Sequence, residues 1–303
     1  MEAAFVLIRL AGFLAGATLF GAPIFALYNP PLAEIVASRL KPMLMTAACL
    51  SAAAAMAGLV MQTGRMAGDP AAGLDPATLG DVVRGTGFGA SVLVRTGATL
   101  LALGLLVGLR PPRQLWTLTT ILGAVGLATL ARAGHGAADE GIAGLVHTTA
   151  DIAHLLAAGA WLGALMMFVL ALEARGCGAA EAQVIHRALK DFSGVGSIAV
   201  AAIVASGLAN GWFLVGLGHL GGLTASPWGR LLIVKLVLFA MMLAFAALNR
   251  FRLTPRLEAA GSDDPGAAIS ALRYSIGLEF ALGVGVLALV AALGVLTPPV
   301  SAP

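Results

Sequence analysis

Gly144-Leu-Val-His147-Thr-Thr-Ala-Asp151-Ile-Ala-His154-Leu-Leu-Ala-Ala158-Gly-Ala-Trp161-Leu-Gly163-Ala-Leu-Met-Met-Phe-Val-Leu-Ala-Leu172 carries two histidines and one aspartate as its only ionisable side chains. A run of this length and character exceeds the ~20 apolar residues that cross a bilayer, so it predicts a transmembrane helix. Seven similar runs surround it, and the eight spans are expected at 3–28, 40–62, 88–109, 114–131, 144–172, 197–217, 229–249 and 274–296. Composition agrees: 59% of residues are hydrophobic and only 11% charged, and the mean hydropathy is +0.94. These values lie far from those of soluble domains. The expected fold is all-α, a single integral membrane domain over residues 1–303 built as a bundle of eight transmembrane helices.

The first run, Met1-Glu2-Ala3-Ala4 onward, has no basic segment before it and is interrupted by Arg9, so it is read as an uncleaved helix and not as a signal peptide. Orientation follows from the connections. Arg39, Lys41, Arg110, Arg113, Arg175, Arg187, Lys190, Arg250, Arg252, Arg256 and Arg273 fall on one side, against Arg65, Arg84, Arg132 and Arg230 on the other. The positive-inside rule assigns the first group to the cytoplasm and both termini to the periplasm of a bacterial inner membrane. The net charge of +3 is then a topology signal that calls for no nucleic-acid partner. In the longer outer loop, Asp75-Pro76 has the form of an N-cap and first helical position for a short interfacial helix ending near Arg84. Cys49 is expected to be buried in the second span and Cys177 to sit in a cytoplasmic loop, too far apart for a disulfide.

The intramembrane polar residues carry the functional signal. At about 100° per residue, His147, Asp151 and His154 share one narrow helix face, and Ala158 and Trp161 continue it. Arg9, Arg95, Asn210 and Lys235 are expected at the same outer level, while Glu279 lies towards the cytoplasm. Such groups are expensive in a bilayer and mark ion, proton or cofactor sites, although a lone one more often serves as an interhelical tie. Imidazole ligates copper, zinc or haem iron, and a carboxylate either ligates or fixes the imidazole tautomer. His147 and His154 are about 10 Å apart along the helix axis, too far to chelate one ion together, so they read as successive stations or as parts of a site completed by another helix. His135 is a candidate first ligand in the outer loop, with His219 a weaker one. Arg9, Arg95 and Lys235 are candidate charge partners of Asp151 or anchors that snorkel to the outer interface, and His154 and Asp151 are expected to line a polar cavity to whose wall Lys235 and Arg95 contribute. Glu279 is expected in an ion pair with Arg250, Arg252 or Arg273. Asn249-Arg250 reads as a helix stop. Met56, Met61 and Met66 form no stripe and are assigned to packing, and Met166-Met167 and Met241-Met242 read as core.

No Walker sequence, HExxH or paired-Cys motif is present, and Gly85-Thr-Gly87-Phe-Gly89-Ala90 is incomplete as a dinucleotide motif, so no enzymatic activity is expected. The segment Gly134-His135 through His147, Asp151, His154 and Trp161-Leu-Gly163 resembles the CopD family of bacterial inner-membrane copper resistance and homeostasis proteins. So do Thr86-Gly-Phe88-Gly89 with Arg95, Ser226-Pro-Trp228-Gly229-Arg230-Leu-Leu-Ile-Val-Lys235, Ala247-Leu-Asn249-Arg250-Phe-Arg252-Leu-Thr-Pro255, Leu272-Arg273 and Leu278-Glu279. The resemblance spans nearly the whole chain. It departs at Ala164, where the family often has a second glycine, and no CopC-like domain is fused. It implies copper as the metal handled, a separate periplasmic CopC-like partner, and movement of copper into the cytoplasm. The competing readings are a haem-b electron-transfer bundle, in which a second axial ligand must face His147 or His154, and a structural or assembly protein.

Overall fold

The computed structural model describes residues 2–108, 112–133, 141–173, 179–216, 218, 221, 223–260 and 265–299. Its elements are α1 (Glu2–Tyr28), α2 (Pro30–Ile35), α3 (Ala37–Ala67), α4 (Pro76–Gly85), α5 (Gly87–Gly108), α6 (Pro112–Ala128), α7 (Gly141–Leu172), α8 (Ala179–Leu214), α9 (Pro227–Leu248), α10 (Thr254–Ala260) and α11 (Gly266–Leu293). Eight helical segments are long and apolar enough to span a bilayer, and no strand occurs among the described residues. The chain is an all-α polytopic membrane protein. Asp75 caps α4 as its sequence predicts, accepting from the backbone N–H of Thr78 at 2.9 Å and from its hydroxyl at 2.5 Å. These bonds hold the Asp75 carboxyl below the ordinary carboxylate range.

Helix lengths differ from the sequence expectation where polar turns continue a helix beyond the membrane. The sixth span is expected to begin at 197, but α8 begins at Ala179, so Arg187 and Lys190 are helical. At 1.5 Å per residue, α8 is about 54 Å long, well beyond the ~30 Å hydrocarbon core, and part of it projects into solvent. Asn249-Arg250 is no helix stop. The chain passes from α9 through a π turn, Asn249–Leu253, directly into α10, and such turns are frequent at functional sites.

Small residues set the packing. Helix α1 runs through the middle against α3, α6, α7 and α11. Its crossing with α7 is a backbone contact: a Cβ on Gly21 would lie 2.0 Å from the Gly159 carbonyl oxygen, and one on Gly163 would lie 2.2 Å from the Gly21 carbonyl carbon. Without a hydrophobic drive between helices in lipid, close approach of this kind maximises dispersion contacts. Helix α8 packs on α7 and α9 on α11, but α8 and α9 stand apart and leave a cleft between them. Side chains assigned to the interior by sequence turn out otherwise in part. Cys49 is exposed, as are Met56, Met66 and Met241, whereas Met167 and Met242 are buried. Apolar side chains gain as much from lipid as from a protein core, so hydrophobicity cannot sort them. Cys177 lies outside the described residues.

Candidate functional site

The polar face of α7 meets α8 in three rungs. The His147 imidazole, 1% exposed, stacks on Phe213 with ring centroids 4.6 Å apart and planes 8° from parallel. One turn further in, Asp151 accepts a hydrogen bond from Asn210 Nδ2 at 2.5 Å. One turn beyond that, His154 Nδ1 lies 3.0 Å from Ser206 Oγ. The spacing 147, 151, 154 on one helix matches 213, 210, 206 on its antiparallel neighbour, the register expected when helical faces with period 3.6 run side by side. Asp151 is also within Coulombic reach of His147 and of Lys235 on α9.

Alongside the ladder the cleft holds a cavity of about 670 Å³, bounded by α7, α8, α9 and α11, that runs from Val215 and Gly216 beyond the first rung to Trp161 past the third. His154 and Lys235 are the ionisable groups in its wall; the rest is largely apolar and includes Trp212, Phe239 and Met242. The sequence reading expected Asp151 and Arg95 in this wall and a polar lining. Asp151 is turned to Asn210 instead. Arg95 faces a separate small cavity with Arg9, between α1, α3 and α5, and the Arg9 guanidinium lies 5.7 Å from the Phe13 ring. The shared depth of these residues does not translate into one site, because depth along a span says nothing about which side of the bundle a face points to. Among the described residues no three His, Cys, Asp or Glu side chains converge as a metal chelate. His135 and His219 lie outside the described residues.

Trp161 closes the inner end of this cavity and also borders a second one of about 300 Å³. Its indole Nε1–H donates to Glu279 Oε1 at 3.1 Å, and Asn249 Nδ2 donates to Glu279 Oε2 at 2.8 Å. The ion pair expected for Glu279 is absent among the described residues. Arg250 donates to Ser193 O at 3.4 Å and to Ser197 Oγ at 2.7 Å. Arg273 Nε donates to Leu172 O at 2.8 Å, capping the end of α7. The Trp161–Glu279–Asn249 cluster escaped sequence reasoning because its members stand 118 and 30 residues apart in the chain.

These features define a class, the polytopic helical membrane proteins whose bundle holds ionisable groups in line with a cleft. Residues 1–145 match the family of copper resistance protein D-like N-terminal domains, and residues 186–293 match the copper resistance protein D family. The chain is 36% identical over 291 residues to "Copper resistance protein D" of Pseudomonas syringae pv. tomato, covering 94% of this chain and 93% of that protein. It is 30% identical over 281 residues to "Inner membrane protein YebZ" of Escherichia coli strain K12, covering 92% and 93%. No solved structure matches. The chain belongs to the copper resistance protein D family.

Proposed function

We propose that this protein handles copper in the bacterial inner membrane, accepting it at the periplasmic face from a CopC-like copper-binding protein and passing it inward. The observation that carries this reading is the ladder His147, Asp151, His154, which leads along the α7–α8 interface into a cavity that His154 borders. Copper is the cargo of this reading, and the donor set suits a cargo. Two imidazoles about two turns apart, with a carboxylate between them, offer successive weak sites in place of a closed chelate, and conduction requires sites that release what they bind. His135, which precedes α7 in the sequence, is proposed as the first ligand. The names of the relatives, one a copper resistance protein and the other an inner-membrane protein, support the metal and the location. The 11-to-4 basic asymmetry supports periplasmic termini and a periplasmic ladder.

Radiocopper accumulation in cells carrying wild type or His154→Ala tests the reading. The variant is expected to accumulate less copper at equal abundance in the membrane. Equal accumulation removes the ladder from the path. The haem reading is tested on the purified wild-type protein, which is expected to bind copper and to show no Soret band.

A further inference from the structure

Glu279 is 2% exposed, lies within a membrane helix, and is held by two neutral donors, the Trp161 indole and the Asn249 amide. Among the described residues no charged side chain of the neighbouring elements bonds Glu279, and Arg252 and Arg256, on the π turn and α10, are exposed. Arg250 is bound to α8 and Arg273 to the end of α7, Glu258 of α10 lies 3.6 Å from His186, Lys235 of α9 borders the outer cavity, and Arg9 of α1 approaches the far end of α11 at Gly294. A carboxylate placed among neutral partners in a low-dielectric interior is costly to keep ionised, and intramembrane acids of this kind mark ion and proton paths.

Asn249 supplies the second observation. Its Oδ1 is buried with no hydrogen-bond partner while its Nδ2 donates to the carboxylate. An amide turned over by 180° presents Oδ1 to Glu279 instead, where it accepts from a carboxylic O–H. One residue thus satisfies both protonation states, as donor to the anion and as acceptor from the acid, while the Trp161 N–H bonds the other oxygen in either state. The π turn that begins at Asn249 aims this amide. The inner cavity of about 300 Å³ borders Glu279, Asn249 and Trp161 and is lined by Ser193, Ser197 and Arg250 as well, which gives it room and polar partners for water.

We propose that Glu279 is a reversible proton-binding site, with Asn249 as its two-state partner, exchanging protons with water at the basic-loop end of the bundle. A hydronium ion in the inner cavity gives its proton to Glu279 Oε2, an O–H bond forms, water remains, and the carboxylate is neutralised; release runs the same steps backwards. Trp161, which bonds the carboxyl and also borders the His154 cavity, links the proton site to the outer one. The inference does not depend on copper being the cargo.

The test is infrared difference spectroscopy of the full-length, copper-free protein in lipid nanodiscs, titrated with pH. The expected result is a carboxylic C=O band that appears on acidification, is lost in Glu279→Gln, and persists in Glu258→Gln. Asn249→Leu keeps the acid but removes its partner, so the band should remain and move to higher wavenumber as the hydrogen bond is lost. A band that is unchanged in Glu279→Gln, or one that is lost there but does not respond to pH in the wild type, overturns the proposal. An unmoved band in Asn249→Leu overturns the role of Asn249. Because no copper is present, failure here leaves the copper reading standing, and failure of copper accumulation leaves this site standing.

Discussion

Asp151 is bonded to an amide and not to a cation, and this sets what its substitution should do. Asn210 holds one carboxylate oxygen at 2.5 Å, and Asp151 is absent from the wall of the cavity that His154 borders. In the proposed copper path the carboxylate would therefore act by placing negative charge beside His147 and orienting the ladder, a supporting role whose loss typically weakens metal affinity by about 10- to 100-fold. Asp151→Asn keeps an amide-to-amide bond with Asn210 and removes only the charge. It should lower copper accumulation less than His154→Ala does, as read by radiocopper uptake at matched protein levels; a loss as deep as that of His154→Ala would make Asp151 a ligand. The shared face of His147, Asp151 and His154 was legible in the sequence because helical periodicity is local. The partners Phe213, Asn210 and Ser206 were only partly so: Asn210 was noticed as polar, whereas a serine and a phenylalanine in an apolar span carry no distinguishing signal.

The helices themselves were legible by length and hydropathy, and their mutual approach was not. Gly21, Gly159 and Gly163 look like any other glycines of an apolar run, yet between α1 and α7 they are where backbone touches backbone. A side chain there must push the two helices apart, which in well-packed interiors costs about 1–3 kcal/mol and more where the obstruction is backbone. Gly163→Val should therefore lower the thermal unfolding midpoint of the detergent-solubilised protein by several degrees. Gly97→Val, at a position where an added Cβ meets nothing within 4 Å, should leave it nearly unchanged. Similar midpoints for the two variants would mean that the α1–α7 crossing opens without cost. The junction of α9 with α10 shows the complementary difficulty. Asn249 resembles a stop because asparagine commonly ends helices, whereas here its amide is used on Glu279 and the backbone absorbs one extra residue as a π turn.

At the scale of the whole molecule, the two cavities lie in series along one cleft, with the His154 side towards one membrane face and the Glu279 side towards the other, and Trp161 between them. The cleft was invisible in the sequence, since it arises from α8 and α9 packing on different neighbours and leaving each other free. The proposed assignment of the two faces rests on the sequence. The basic residues Arg39, Lys41, Arg113, Arg187, Lys190, Arg250, Arg252, Arg256 and Arg273 cluster at the Glu279 end, and the translocation of such loops is opposed. Reporter fusions after Arg113, near Arg187 and near Pro255 should accordingly be cytoplasmic, and fusions near Asp75, His135 and His219 periplasmic. The extension of α8 sharpens the middle case, because Arg187 lies on a helical segment about 15 Å short of the residue where the apolar span was expected to start, at 1.5 Å per residue, and so outside the hydrocarbon. If fusions at both His135 and Pro255 report the opposite sides, the bundle is inverted. The ladder would then face the cytoplasm, Glu279 would exchange protons with the periplasm, and a CopC-like donor could no longer reach His147 first.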